Sequence, residues 1–121
     1  MSKADVAVRF ALAQEGWFEE RFLSKTRRDE ESGCLLWTGA AGPNGYGSVS
    51  VKLPSVTYQV GVLAHRVAFA QAFGADELPK ASRTGYAKFV IEHSCGNRLC
   101  VEPSHLRRSS AWAIQRRRFD G

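Results

Sequence analysis

No apolar run in the 121-residue chain approaches the length of a membrane span, and the N-terminus lacks the basic-then-apolar layout of a secretory leader. A soluble protein that stays in the cytoplasm, with no membrane partner, is therefore expected. Cysteine is scarce and odd in number, three in all, and histidine is equally scarce. Acid is the minority charge: twelve Asp and Glu face seventeen Lys and Arg, a net +5. That surplus is compatible with a polyanionic partner, but many basic proteins bind none. The apolar share, 44%, excludes wholesale disorder. There is no internal repeat and no composition break, so a single domain over 1–121 is expected.

The placement of the basic residues is more informative than their number. The tail from Leu106 to Gly121 holds Arg107, Arg108, Arg116, Arg117 and Arg118 against the single acid Asp120. Read as a basic C-terminal helix over 106–121, it can either neutralise phosphates or serve only as a solvated, solubilising segment. Upstream, residues 1–30 read as a helical segment. Asp5 is a candidate cap, Val6, Phe10 and Ala13 recur at helical spacing, and Gly16 interrupts before a second helix over 17–25. Thr26 to Gly33 reads as a solvated connector and Cys34 to Trp37 as strand. The run GAAGPNGYG (39–47) is dense in turn formers. Ser48, Ser50 and Lys52 alternate with Val49, Val51 and Leu53, the period of a half-buried strand, and Tyr58 to Val62 pairs back as a hairpin. Leu63 to Phe73 is helical, with Gly74 as its stop. A loop covers 76–85, and Lys88 to Ile91 forms a short strand. The class is α+β.

The chemistry concentrates in HSCGNRLCVEPSH, His93 to His105. Zinc takes four thiolate or imidazole ligands in a tetrahedron. Cys95, Cys100 and His105 are spaced C-x4-C-x4-H around turn-forming Gly96, Asn97 and Pro103, and Cys34 can close the site. A Cys3His site over a core spanning 34–110 uses every cysteine and needs no disulfide. The alternative is that the cysteines are buried small hydrophobes. His93 is left over. A neutral imidazole there can act as general base on a water attacking a phosphodiester, or it can simply cap the strand by a hydrogen bond.

Taken in order, GCLLWTGA (33–40), GYG (45–47), AHRVAFA (64–70) and EHSCGNRLCVEPSHL (92–106), preceded by ERFLSK (20–25), resemble the phage and homing-type HNH endonucleases of the His-Me finger superfamily with a zinc-binding loop. The resemblance covers about residues 18 to 110 and implies a zinc-stabilised ββα-metal domain with a β-hairpin and flanking helices. It implies structural zinc on Cys34, Cys95, Cys100 and His105, and His93 as general base in metal-dependent phosphodiester hydrolysis. Mg²⁺ or a similar hard cation would stabilise the leaving oxygen. Double-stranded DNA is the implied partner, often gripped by a homodimer, in a bacterial cell or a phage-infected host.

Two positions depart from the family pattern. The residue nine beyond His105, commonly an Asn or His that holds the catalytic cation, is Ile114; Gln115 beside it offers an amide oxygen, about 100° around a helix. The position after GYG, commonly a phosphate-clamping Arg, is Ser48, with Lys52 on the same strand face as a point-charge substitute. Ser109 and Ser110 stand where the family has Gly-Thr before its last helix. Arg66 is placed to reach a phosphate or an acid on the connector. His65 reads as a buried structural histidine rather than a catalyst, and Trp37, Tyr46 and Trp112 as core aromatics or base contacts. A catalytically degenerate relative, serving as a DNA-binding or regulatory module or as a phage-type factor on a host protein complex, is the competing expectation.

Overall fold

The computed structural model describes residues 2–79 and 89–110. Helix α1 spans Lys3–Ala13, and its cap is Ser2, whose hydroxyl accepts from the Asp5 amide. Asp5 itself, expected to be the cap, lies inside the first turn and turns its carboxylate elsewhere. Ala7, Val8 and Ala11 form the buried stripe of α1. The expected second helix is a wide π-helical turn over Phe18–Phe22 followed by a 3-10 turn over Leu23–Lys25. The wide turn stacks Phe18 on Phe22 at 4.8 Å between ring centroids, and Phe22 in turn meets Trp37 at 4.9 Å.

The stretch expected to be a solvated connector contains strand β1 (Thr26–Arg28), antiparallel to β2 (Leu35–Trp37). Its side chains face largely outward, so no apolar alternation marks it. Strands β3 (Ser48–Lys52) and β4 (Gln59–Leu63) form the expected hairpin, with Val49, Val51, Val60 and Val62 on its buried face. Helix α2 (Ala64–Phe73) follows β4 without a linker, is buried from Ala64 to Ala70 except at partly exposed Arg66, and exposes its last three residues before ending at Gly74 with φ +100°. It packs against α1 and β4 on one side and against β5 (Phe89–His93) and β6 (Leu106–Ser110) on the other. One apolar core joins α1, the hairpin and α2 to Phe22, Trp37, Ile91, Val101 and Leu106.

Leu106 to Ser110, expected to begin a basic helix, is strand β6, antiparallel to β5 with His93 opposite Leu106 and Glu92 opposite Arg107. The pairing is favoured by opposite charge across the ladder: Arg107 Nε meets a Glu92 carboxylate oxygen at 2.9 Å, and the Ser109 hydroxyl donates to the same oxygen at 2.8 Å. Residues 111–121, with Trp112, Ile114, Gln115, Arg116, Arg117 and Arg118, lie outside the described residues.

Candidate metal centre and active site

A Cys3His cluster that could hold a metal assembles from two turns. The β1–β2 turn closes through Gly33 N–H to Asp29 O and Asp29 N–H to Cys34 O, each 2.8 Å. It leaves Cys34 at the foot of β2. The long β5–β6 connection carries Cys95, Cys100 and His105, the last in a 3-10 turn at Pro103–His105. Backbone pairing joins the two turns: Val101 N–H donates to Leu35 O at 2.7 Å and Trp37 N–H to Leu99 O at 2.8 Å. Cys100 is thereby laid against Cys34.

The four ligand atoms all lie within 4.8 Å of one another. His105 Nδ1 stands 3.6 Å from Cys34 Sγ and 3.4 Å from Cys100 Sγ. A tetrahedral zinc with bonds of about 2.0–2.3 Å requires edges of roughly 3.5–3.8 Å, so the two His105 edges are close to that geometry and the four residues together could hold such an ion. Gly33, at φ +75°, is where the chain passes the imidazole; a Cβ there would lie 3.7 Å from His105 Cε1. Burial pushes the Cys100 thiol up to about 12, whereas the Ser32 hydroxyl, with help from the neighbouring thiols and imidazole, draws Cys34 down to about 7. No other cluster of three or more His, Cys, Asp or Glu suited to a metal occurs among the described residues.

His93, at the end of β5, is tied to the same loop. Its Nε2 lies 2.9 Å from the Cys100 carbonyl oxygen. A carbonyl only accepts, so Nε2 carries the proton and Nδ1 keeps its lone pair. Burial lowers the His93 pKa, partly offset by that carbonyl, and the neutral form is favoured. The sequence left a base and a hydrogen-bonded cap as alternatives; the geometry contains the hydrogen bond and leaves a nitrogen suited to the base.

Around His93 three rings close together. His65, from the first turn of α2, is 4.7 Å away between centroids, and Tyr46 lies 5.8 Å from His93 and 5.3 Å from His65. His65 is 6% exposed, and its Nδ1 has no hydrogen-bond partner among the described residues. Burial first, then the nearby His93 and Arg66, lower its pKa to about 3. Arg98, not singled out by the sequence, places its guanidinium 5.2 Å from the Tyr46 ring centroid. Its position between two ligand cysteines and five residues past His93 is the only signal that could have singled it out.

The other expected nucleic-acid contacts are differently placed. Arg66 is not turned toward a phosphate surface. Its guanidinium is about nine-tenths buried, 2.9 Å from Asp5 and 2.6 Å from the Pro79 carbonyl, so the acid it finds is on α1 rather than on the connector. Lys52 donates to the Leu53 and Val56 carbonyls at the hairpin turn. Arg107 pairs with Glu92, and Arg108 lies one residue on along β6. Trp37 is a core residue, its indole N–H on the Ala40 carbonyl at 2.9 Å.

The fold and these side chains define a small α+β protein with a zinc-compatible Cys3His knuckle holding a neutral histidine at a strand end. Residues 62–111, from β4 past the end of β6, match the family model described as HNH endonuclease, which supports membership of the His-Me finger HNH superfamily. The match covers less than half of the chain; it takes in His65, His93, Cys95, Arg98, Cys100 and His105 but not Cys34 or Tyr46. No curated protein and no solved structure matches.

Proposed function

We propose that the chain is an HNH-type DNA endonuclease, a single domain in which a structural zinc on Cys34, Cys95, Cys100 and His105 holds His93 ready as general base. The observation that carries this reading is the double use of Cys100: its sulfur belongs to the ligand cluster and its carbonyl fixes the His93 tautomer. Nδ1 of His93 takes a proton from water as the water oxygen bonds to phosphorus, and the bond from phosphorus to the leaving oxygen breaks with its electron pair on that oxygen. A hard divalent cation, when bound, would stabilise the charge developing there. Its expected protein donor, Gln115 beside Ile114, lies outside the described residues, and no step here depends on it.

Ile114 favours a second reading, a DNA-binding module without chemistry, because an alkyl side chain cannot ligate a hard cation. Supercoiled plasmid incubated with Mg²⁺ or Mn²⁺ separates the two. Nicking by wild type that His93→Ala reduces by at least about 100-fold supports the enzyme. Tight binding without nicking, unchanged by Ile114→Asn, leaves only the module.

A further inference from the structure

We propose that Arg98 is the phosphate ligand of this site, hydrogen-bonding a non-bridging oxygen of the phosphodiester presented to His93. The proposal rests on the nuclease reading for its chemistry but not for the contact itself. Arg98 sits between Cys95 and Cys100 in the metal loop, on backbone held by Asn97, whose side-chain oxygen accepts the Leu99 N–H at 3.0 Å and whose carbonyl accepts the Cys100 N–H at 3.1 Å. The guanidinium is fixed from two sides: one terminal nitrogen donates to the Asn44 carbonyl at 2.6 Å, and the Tyr46 ring lies 5.2 Å beneath it. Gly45, at φ +85°, allows the 42–46 turn to pass close; a Cβ there would come within 3.6 Å of Arg98 Cδ.

A guanidinium has five N–H donors in a rigid fork, and the carbonyl engages one nitrogen. The side chain is exposed, so the remaining donors are accessible to a polymer. The separations of 5.2 and 5.8 Å through Tyr46 keep the guanidinium carbon within about 11 Å of the His93 ring centre. A hydrogen bond from base to water of about 3 Å, a water-to-phosphorus approach of about 3–3.5 Å and an arginine–phosphate contact of about 2.8 Å fit inside that upper limit. Among the described residues, Arg66 is paired with Asp5, Arg107 with Glu92, Arg28 with Glu102, and Lys52 with hairpin carbonyls.

The alternative is that Arg98 only staples the metal loop to the 42–46 turn. Arg98→Gln tests this, because the amide can still donate to Asn44 O while the charge is gone. Zinc content and thermal unfolding establish that the full-length variant folds, and Arg98→Lys serves as a second variant that restores charge without the fork. With a short duplex and no added Mg²⁺ or Mn²⁺, the slope of log affinity against log salt should flatten by about 0.9 in Arg98→Gln, one phosphate contact, and recover in Arg98→Lys. With Mg²⁺ or Mn²⁺, cleavage by Arg98→Gln should fall about 100-fold.

An unchanged slope with unchanged cleavage overturns the proposal and leaves the nuclease standing. If wild type cuts nothing, the nuclease reading fails and the salt slope alone decides: flattened, Arg98 holds phosphate in a binding module; unchanged, it does not. A wild type that binds no duplex overturns both.

Discussion

Gly47 is the residue on which the Trp37 side chain rests. A Cβ built at Gly47 would lie 2.5 Å from Trp37 Cδ1 and 3.2 Å from Ala64 Cβ, so no side chain fits without moving a buried indole or the start of α2. Gly47→Ala should destabilise by about 1–3 kcal/mol, the usual cost of overpacking, and thermal unfolding of variant against wild type would read it. A melting temperature unchanged within a degree would mean that the ring yields freely. His65 makes a second single-residue prediction. Its folded pKa, about 3, lies below the ordinary imidazole value of 6.5, so between those values the unfolded chain binds the additional proton. The stability contributed by neutral His65 is therefore complete above about pH 6.5 and is lost as pH falls toward 3, with a slope approaching 1.4 kcal/mol per pH unit. Urea unfolding of wild type and His65→Leu at saturating zinc should differ by that slope between pH 6 and 4. Parallel profiles would show that His65 is not buried neutral.

Two elements meet in the Arg66–Asp5 pair, which joins the first turns of α1 and α2 with both side chains 12–13% exposed. Among the described residues, Asp5→Ala leaves a mostly buried guanidinium with the Pro79 carbonyl alone, and the cost should approach, without exceeding, the roughly 3–5 kcal/mol of a fully buried pair. A double-mutant cycle with Arg66→Ala should return a coupling above about 0.5 kcal/mol; additive effects would reduce the pair to a surface contact. The same elements show what the sequence makes legible. The β3–β4 hairpin was readable because its valines alternate, and α2 because its apolar residues recur and a glycine stops it. Strand β1 was not, since Thr26–Arg28 is stabilised by backbone pairing with β2 while its side chains face solvent. Strand β6 was masked by its two arginines, which suggest a basic helix until Glu92 is known to lie opposite Arg107. At the site, the ligand spacing exposed Cys95, Cys100 and His105 directly. The grouping of Tyr46, His65 and Arg98 around His93 depends on three separate segments meeting, and no local pattern encodes that.

At the scale of the whole molecule, the ligand cluster determines how pH and folding are joined. Cys34 and Cys100 are almost fully buried, and around them the β1–β2 turn meets the loop that positions both His93 and Arg98. Removing a metal held there should therefore do more than loosen a surface loop. Chelation, or Cys100→Ser, is expected to cause unfolding or aggregation, since structural zinc contributes on the order of 10 kcal/mol in small domains. A circular dichroism spectrum and a melting temperature indifferent to chelator would overturn the zinc assignment. The thiols add a proton count to this expectation. An ordinary thiol titrates near about 8.5 and burial raises Cys100 further, so whether or not the metal-free chain is folded its sulfur is largely protonated between about pH 6 and 8, and the metal must displace that proton. Zinc affinity should thus rise with pH, at least about tenfold per unit between pH 6 and 8 from Cys100 alone. Calorimetric titration in buffers of different ionisation enthalpy should record one or more protons released per zinc. Metal uptake that releases none would mean that Cys100 is not a ligand, and the link from the metal through the Cys100 carbonyl to the His93 tautomer would then be broken as well.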